Sequence, residues 1–412
     1  MEQNINEREQ MKIVIVGHID HGKSTLIGRL LYDTNSLPDD KIKEIKMVSE
    51  SLGREIEFAY IIDNLQEERE QQLTIDTAQL FFKTKKRNYV IIDAPGHKEF
   101  IKNMVTGASQ ADLAILLVDA KEGIKEQTKR HSYIIKLLGI KNLIVTINKM
   151  DLVNYDEDKF NQIKKEILGS LAKLEIFSDY IIPISALHGE NIVNKSKKMS
   201  WYNGLTLIEA LNNFNIKREI KESLRLPIQD IYNINNKKVI VGKVESGVLK
   251  LNDKIKILPI NQDNLIKSIE SFNARKDFAI AGESIGITLA NDNNLDVGMI
   301  ICDDKNLSKI VREFKAKLFW MFNKDLNLNE ELILKCATQE VKCKIKEIQK
   351  RIDSSTLEII EENSKILKET EVGEVIINTD QDLVIEDFND IPELGRFVII
   401  KDLDIAGAGI IT

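Results

Sequence analysis

The first half of the chain alternates short apolar runs with longer stretches in which apolar residues recur at helical spacing. The apolar runs are MKIVIVG, NYVIID, ADLAILLVDA, KNLIVTINK and DYIIPIS. Strands covered by helices on both faces have this composition, because neither face meets water. In the stretch TKRHSYIIKLLG, the residues Tyr133, Ile134 and Leu137 share one helical face. Gly139 is suited to end that helix. The alternation predicts a doubly wound α/β domain with a mostly parallel sheet.

After about residue 214 the pattern changes to the two-residue alternation that is typical of strands. The segments KKVIVGKVESGVLKLNDKIKIL, EVKCKIKEIQ and GRFVIIKD alternate polar and apolar positions and are separated by short turns. Closed barrels are the simplest arrangement for so many short strands. We therefore predict three domains, an α/β domain over residues 1–218 and two all-β barrels over residues 222–305 and 308–412.

Composition narrows the class of protein. The chain has 412 residues, 43% of them hydrophobic, and a net charge of −7 from 58 basic and 65 acidic side chains. No global positive field attracts nucleic acid, so a dedicated DNA- or RNA-binding protein is not expected, although a local basic patch is compatible with this charge. No stretch approaches the roughly 20 apolar residues of a membrane span, and the N-terminus MEQNINEREQ lacks a signal peptide's apolar region. The three cysteines have no metal-ligand spacing. These features predict a cytoplasmic protein with reduced thiols.

The segment GHIDHGKS lies between the first predicted strand and a predicted helix, and it matches the phosphate-loop pattern GxxxxGK[ST]. Glycines let backbone N–H groups turn towards phosphates, and the helix N-terminus adds partial positive charge. Lys23 is expected to reach the β- and γ-phosphates, and the Ser24 hydroxyl to ligate Mg²⁺. The nucleotide-binding residues predicted here are Gly17, His18, Ile19, Asp20, His21, Gly22, Lys23, Ser24 and Thr25.

The two histidines of this loop allow two interpretations. His18 and His21 could be metal ligands, but within a phosphate loop they are expected to line the loop sterically.

The turn DAPGH follows another predicted central strand. It is either plain loop chemistry or part of a phosphate-cleaving site. A carboxylate at this position suits a phosphate-bound Mg²⁺, the following glycine can offer its N–H to the γ-phosphate, and the histidine can orient an attacking water. We favour the functional interpretation. The predicted cofactor-binding residues are Asp93, Ala94, Pro95 and Gly96, with Asp93 also a metal ligand, and the predicted catalytic residue is His97.

The segment EREQQLTID lies between the phosphate loop and this turn. Thr74 is the candidate for a switch threonine whose hydroxyl ligates Mg²⁺ only while the γ-phosphate is present. An exposed, charged helix end would explain the glutamates of this segment, but not the sequence Leu73-Thr74-Ile75.

Two further motifs, NKMD and SAL, predict a guanine site. An aspartate carboxylate can accept hydrogen bonds from guanine N1 and N2, whereas adenine would leave a buried charge unpaired. A lone NKxD motif is weak support, but four motifs in this order at strand ends predict GTP as the ligand. The predicted contacts are Asn148, Lys149, Met150, Asp151, Ser185, Ala186 and Leu187.

Together, GHIDHGKS, EREQQLTID, DAPGH, NKMD and SAL resemble the GTPase domain of the translation-factor superfamily, to which elongation factor Tu belongs. The resemblance extends through ESGVLKLNDKI to GRFVIIKDLDIAGAGII. It implies a P-loop GTPase domain followed by two β-barrels, with GTP or GDP and Mg²⁺ as cofactors.

Within that superfamily, several segments look closest to the GTPase (large) subunit of bacterial sulfate adenylyltransferase. They are EQTKRHSYIIKLLGIKNLIVTINKMDLVNY, MSWYNGLTLIEAL, AGESIGITL and AKLFWM. The first barrel also has NINNKKVIV where tRNA-delivering factors usually carry GGxGTV. This resemblance implies a hetero-oligomer with a small catalytic subunit, in which GTP hydrolysis drives formation of adenosine 5′-phosphosulfate from ATP and sulfate.

The alternative function is a GTP-switched carrier of aminoacyl-tRNA or another ribosomal ligand. That function needs a basic surface facing RNA, and a net charge of −7 weighs against it without excluding it.

Overall fold

The computed structural model divides the chain into two compact units, Met1–Ile216 and Lys217–Thr412. The structure describes residues 10–37, 42–43, 58, 79–92, 111–214, 223–234, 237–271 and 274–412.

The first unit is built on a six-stranded sheet with the order β2-β3-β1-β4-β5-β6. Every neighbouring pair is parallel except β2 and β3. The mostly parallel α/β sheet expected from the apolar runs is confirmed. Its strands are β1 (Gln10–Gly17), β2 (Gln79–Lys83), β3 (Asn88–Ile92), β4 (Leu113–Asp119), β5 (Asn142–Asn148) and β6 (Tyr180–Pro183).

Four helices of the first unit lie in the described ranges: α1 (Lys23–Asp33), α2 (Glu126–Leu137), α3 (Glu157–Lys173) and α4 (Leu207–Asn213). Helix α2 is the one predicted from TKRHSYIIKLLG, and Gly139 after it has a φ of 71°. A Cβ is disfavoured in that left-handed conformation, which explains the glycine. Helix α3 starts after Asp156, whose carboxylate accepts a hydrogen bond from the Lys159 N–H at 2.6 Å.

The sheet is buried on both faces, as continuous apolar strands require. All seven residues of β4 are buried. In β1, Ile13 and Ile15 belong to one apolar cluster with residues of α1 and α4. Val14 and Val16, which point to the opposite face, are fully buried as well.

The second unit begins with a ring of antiparallel strands in the order β10-β15-β7-β8-β14-β11, which closes because β10 also pairs with β11. The ring encloses an apolar core that includes Leu226, Ile240 and Ile257. This is the first predicted barrel. Its strands and their attachments are β7 (Arg225–Ile234), β8 (Lys237–Lys243), β9 (Val248–Lys250), β10 (Lys254–Leu258), β11 (Gln262–Ser271), β12 (Ala274–Lys276), β13 (Phe278–Ile280), β14 (Ser284–Leu289) and β15 (Ile300–Asp303).

A second antiparallel ring follows in the order β18-β23-β24-β16-β22-β19, and pairing of β18 with β19 closes it. Fully buried side chains fill it, among them Leu318, Trp320 and Ile345. The predicted architecture of an α/β domain followed by two β-rich domains is therefore confirmed. The elements are β16 (Lys309–Trp320), β17 (Leu326–Asn327), β18 (Leu332–Cys336), β19 (Gln339–Asp353), β20 (Ile359–Ser364), β21 (Ile366–Leu367), β22 (Glu371–Ile385), α5 (Pro392–Gly395), β23 (Arg396–Lys401) and β24 (Asp404–Ile411).

A buried ion pair joins the two rings of the second unit. Arg225, at the start of β7, is 2% exposed, and its Nε and Nη2 lie 2.7 and 2.6 Å from the Glu386 Oε1. The Ser308 hydroxyl donates to the same oxygen at 2.7 Å. Because a buried charge is costly without partners, this pair depends on both of its members.

All three cysteines are buried and reduced. Burial raises the pKa of the Cys336 and Cys343 thiols to about 12. Burial also raises the pKa of Cys302 above its ordinary value, although nearby Arg225 opposes the shift. None of the helices in the described residues is long and apolar enough to cross a membrane.

Candidate functional site

The predicted phosphate loop lies between β1 and α1. Residues Ile19–His21 form a short 3₁₀ turn, and Gly22 follows with a φ of 89°. A Cβ on Gly22 would lie 2.7 Å from Nδ2 of Asn148. Glycine is therefore required at this position for two reasons, the left-handed backbone and the close approach of the Asn148 side chain.

Helix α1 starts at Lys23, directly after this loop. Lys23, Ser24 and Thr25 lie in its first turn and are half-buried. The first N–H groups of a helix have no partner inside the helix and carry partial positive charge, which suits a phosphate. Buried Leu26 and Leu30 anchor the helix in the core, so this N-terminus is held at the end of the sheet.

His21 is fully buried beneath the loop, and its Nδ1 lies 3.1 Å from the Leu117 carbonyl oxygen. A carbonyl only accepts, so Nδ1 carries the hydrogen. Desolvation lowers the pKa of His21, so the neutral ring is favoured. The His18 ring lies 5.3 Å away, centroid to centroid. In the described part of the chain, no group of three or more His, Cys, Asp or Glu side chains is arranged to hold a metal ion.

The base-recognition motif NKMD follows β5. The Asn148 side chain donates from Nδ2 to the His21 carbonyl at 2.8 Å and accepts at Oδ1 from the Ala186 N–H at 2.9 Å. One amide group thus joins the phosphate loop to the SAL motif. Three motifs that are more than a hundred residues apart at their extremes meet at this side chain.

Asp151 lies in the 3₁₀ turn Met150–Val153 that follows Lys149. Its Oδ1 accepts a hydrogen bond from the Ser185 hydroxyl at 2.5 Å. Ala186 is buried, whereas Leu187 is 42% exposed at the rim. The structure therefore brings the predicted base-binding residues of both motifs together at the ends of β5 and β6.

Two residues of this site were missed by sequence reasoning. Asp119, the last residue of β4, is 2% exposed, and its Oδ2 lies 2.7 Å from Nζ of Lys149. Arg29 of α1 pairs with Asp33 at 2.8 Å and donates to the Leu187 carbonyl at 3.3 Å. A carboxylate directly after six apolar residues was the available signal for Asp119. Arg29 offered no signal, because a single basic residue on a helix is usually a surface residue.

Six predicted site residues lie outside the described residues and stay predictions. They are Thr74, Asp93, Ala94, Pro95, Gly96 and His97.

Comparison with known proteins identifies the family of this nucleotide site. Residues 8–222 match the family model described as "Elongation factor Tu GTP binding domain". Residues 237–302 match "Elongation factor Tu domain 2", and residues 313–412 match "GTP-eEF1A C-terminal domain-like". The chain belongs to the translation elongation factor family of GTPases.

The similarity to elongation factors extends over nearly the whole chain. Elongation factor 1-alpha of Pyrococcus furiosus is 39% identical over 408 residues, 95% of each chain. The Thermococcus kodakarensis protein of the same name is 39% identical over 419 residues, and the Archaeoglobus fulgidus one 38% over 414, each covering 98% of both chains. A solved structure of sup35 with GDP is 22% identical with a TM-score of 0.46, covering all of this chain and 97% of that one.

The closer resemblance to the large subunit of sulfate adenylyltransferase was wrong, because these full-length relatives are elongation factors 1-alpha. The misleading segments AGESIGITL and AKLFWM form core strands, in which Ile285, Ile287, Leu318 and Trp320 are buried. The sequences of such segments are determined by packing in the core, which every member of the superfamily needs. The segment NINNKKVIV includes the end of β7 and the start of β8, where Ile234 pairs with Lys237.

Two consequences of that resemblance are corrected with it. Neither adenosine 5′-phosphosulfate formation nor a small catalytic subunit as partner is supported by elongation-factor relatives. What the superfamily resemblance implied is confirmed, namely that the chain is a GTPase with GTP or GDP and Mg²⁺ as its cofactors.

Proposed function

We propose that this chain is an elongation factor that binds aminoacyl-tRNA in its GTP state and releases it after hydrolysis. The observation that carries the proposal is near full-length similarity to proteins named elongation factor 1-alpha, combined with a phosphate loop and a base loop joined through Asn148. A function at the ribosome also agrees with the predicted cytoplasmic location.

At the base end of the site, Asp151 is proposed to select guanine. The Ser185 hydroxyl holds one carboxylate oxygen, which orients the group and leaves further acceptor positions for N1–H and the N2 amino group of guanine. The Ala186 N–H already donates to Asn148, so the SAL turn is braced before a base arrives. Adenine has no N–H at N1 and no N2 amino group, so it would leave those acceptor positions of the carboxylate without donors, which is the source of the discrimination.

At the phosphate end, the first turn of α1 is proposed to hold the β- and γ-phosphates, with Lys23 supplying charge. The residues fit a phosphate, because Gly22 lets the loop backbone turn tightly before the helix N-terminus. A Cβ at this position would collide with Asn148. Ser24 is the proposed metal ligand in the described region, with Thr74 and Asp93 predicted from the sequence. Mg²⁺, when bound, neutralises charge on the phosphate oxygens.

The remaining roles are proposed on sequence alone. Thr74 and Gly96 would respond to the presence of the γ-phosphate, and His97 would orient the attacking water. Loss of these contacts after hydrolysis would end the tRNA-binding state.

The net charge of −7 does not exclude RNA, because binding depends on local charge. In the second unit, β19 presents Lys342, Lys344 and Lys346 to solvent, and β16 presents Lys315. Glu313 pairs with Lys346 at 2.9 Å, and the other three lysines form no ion pair with any of the described residues. Local basic positions of this kind are compatible with phosphate contacts.

Filter binding of aminoacyl-tRNA to the full chain tests the proposal. We expect retention with GTP and Mg²⁺, much weaker retention with GDP, and an affinity that falls steeply as salt rises. Equal retention in both nucleotide states, or none in either, would contradict it.

A variant with altered specificity for the nucleotide base provides the control. In Asp151→Asn, the amide oxygen can still accept from N1–H of the base. The amide NH₂ group, however, faces the N2 amino group of guanine, and both are donors. Xanthine has an acceptor oxygen at that position, so it can pair with the amide. We expect this variant to retain tRNA with xanthosine triphosphate and to lose retention with GTP. Retention with GTP as strong as that of the unmodified chain would remove Asp151 from base selection.

A further inference from the structure

Asp119 is a buried carboxylate at the end of β4, next to the strand that carries the base-recognition motif. Its Oδ1 accepts backbone hydrogen bonds from the N–H groups of Lys121 at 2.7 Å and Glu122 at 3.1 Å. Its Oδ2 lies 2.7 Å from the Lys149 ammonium. Oδ1 therefore binds the loop that follows β4, whereas Oδ2 binds the base-recognition loop.

The carboxylate is ionised at neutral pH. Burial alone would raise its pKa, but the hydrogen bond from Lys149 and the two backbone N–H groups outweigh that effect and hold it below its ordinary value. A charged carboxylate that is 2% exposed is stable only while these donors remain.

Lys149 connects this carboxylate to the phosphate loop. Its Nζ also donates to the backbone carbonyl of Asp20, and its backbone is left-handed with a φ of 61°. A lysine side chain has four flexible methylenes, so a fixed anion at its end removes most of its freedom. Asp119 supplies that anion.

We propose that Asp119 is a positioning residue for guanine nucleotide, which holds Lys149 across the phosphate loop and thereby slows nucleotide release. The inference rests on the proposed guanine site, and it assigns Asp119 no contact with the nucleotide. Asp119 acts through Lys149 and the Asp20 carbonyl, which couple the end of β4 to the loop that holds phosphate.

A merely structural role would confine Asp119 to capping its own loop. That task needs only Oδ1, because both backbone donors bind this oxygen. A substitution that keeps an acceptor there and removes the charge therefore separates the two roles. Asp119→Asn does this, and Asp119→Ser is a second variant, because a serine hydroxyl also accepts from backbone N–H groups.

The measurement is the release rate of a fluorescent GDP analogue from the full chain, chased with excess GDP. Losing a charge-assisted hydrogen bond is expected to speed release about ten- to hundredfold in Asp119→Asn. The faster release should largely persist at high salt, since Asp119 is buried and Lys149 is only partly exposed, and such pairs are screened less than exposed ones. Asp112→Asn is the matched control, because that carboxylate accepts from the Lys12 N–H at 2.8 Å at the opposite end of β4. Its release rate should stay unchanged.

A double-mutant cycle shows whether the effect passes through Lys149. In a Lys149→Met background, Asp119→Asn should add no further acceleration. Additive effects, or a release rate in Asp119→Asn and Asp119→Ser equal to that of the unmodified chain, would overturn the inference and leave the guanine site intact. If the unmodified chain fails to bind the analogue, the proposed function fails as well.

Discussion

At the scale of single residues, His21 makes the stability of the phosphate loop depend on pH. Its folded-state pKa is lowered from 6.5, chiefly by desolvation on burial. Below about pH 6.5 the unfolded chain therefore binds a proton that the folded chain resists. The free energy of unfolding should be highest above that pH and decrease as pH falls towards the folded-state pKa, by at most about 1.4 kcal/mol per pH unit.

Denaturant titrations between pH 7.5 and 5.5, at constant nucleotide, measure this dependence. The variant His21→Asn provides the comparison, because its amide can donate to the Leu117 carbonyl and does not titrate in this range. The difference in slope between the two proteins isolates His21 from the other four histidines. Identical slopes would show that His21 is not the titrating group.

Residues whose chemistry is local were predictable from sequence, and residues that act through distant partners were not. Asp151 belongs to a four-letter motif whose carboxylate has one obvious use. Asp119 ends an apolar strand as many turn aspartates do, and its partner Lys149 is 30 residues away. Only the parallel pairing of β4 with β5, in which Asp119 lies opposite Asn148, brings the two together.

At the scale of elements, α4 depends on a capping box at its N-terminus. The Thr206 hydroxyl accepts from the Glu209 N–H at 3.3 Å, and the Glu209 carboxylate accepts from the Thr206 N–H at 2.8 Å. The helix has only seven residues and places fully buried Leu207, Ala210 and Leu211 in the core. A helix this short is unstable alone, so its cap contributes directly to the fold.

We expect Thr206→Ala to lower the free energy of unfolding by about 1 kcal/mol, because the Glu209 N–H loses the hydroxyl that accepts its hydrogen bond. Thr206→Ser keeps the hydroxyl and should lose much less. Chemical denaturation of both variants makes the comparison, and equal losses would show that the methyl group of Thr206, rather than its hydroxyl, is what matters.

Strand positions and the barrel class followed from the sequence, but the strand order of the two rings did not. Apolar alternation marks each strand locally. The pairings β10–β11 and β18–β19 join strands that are adjacent in sequence, whereas each ring also needs pairings between distant strands, such as β7 with β15 and β16 with β24. That dependence on long-range pairing is why a barrel could be inferred as a class and its strand order could not.

At the scale of the whole molecule, Arg225 and Glu386 hold the two barrels of the second unit through a buried ion pair. Arg225→Met or Glu386→Leu alone would leave one buried charge without its main partner, at a cost of about 3–5 kcal/mol. The loss should be smaller in Glu386→Leu, because Nη1 of Arg225 also lies 3.6 Å from Oδ2 of Asp303. The double variant removes both charges and should recover most of that loss. Apolar Leu258, Ile300 and Val384 belong to one buried cluster of this unit, so added apolar side chains have compatible neighbours.

Urea unfolding of the two single variants and the double variant measures this coupling. If the double variant is destabilised by the sum of the single losses, the ion pair contributes nothing as a pair.

The predicted branch of the superfamily also had to be corrected at the scale of the whole molecule. Short core segments indicated one branch of the superfamily, whereas similarity over the full length indicated another.

The buried cysteines have a practical consequence for fluorescence spectroscopy. Thiolates attack maleimide dyes, and the three native thiols are buried with raised pKa values, so they should remain unlabelled while the chain is folded. A cysteine introduced at Phe177, 81% exposed in the first unit, or at Leu403, 99% exposed in the second, would react selectively. A donor and an acceptor dye at these two sites would report the distance between the units in each nucleotide state, with every native cysteine left in place.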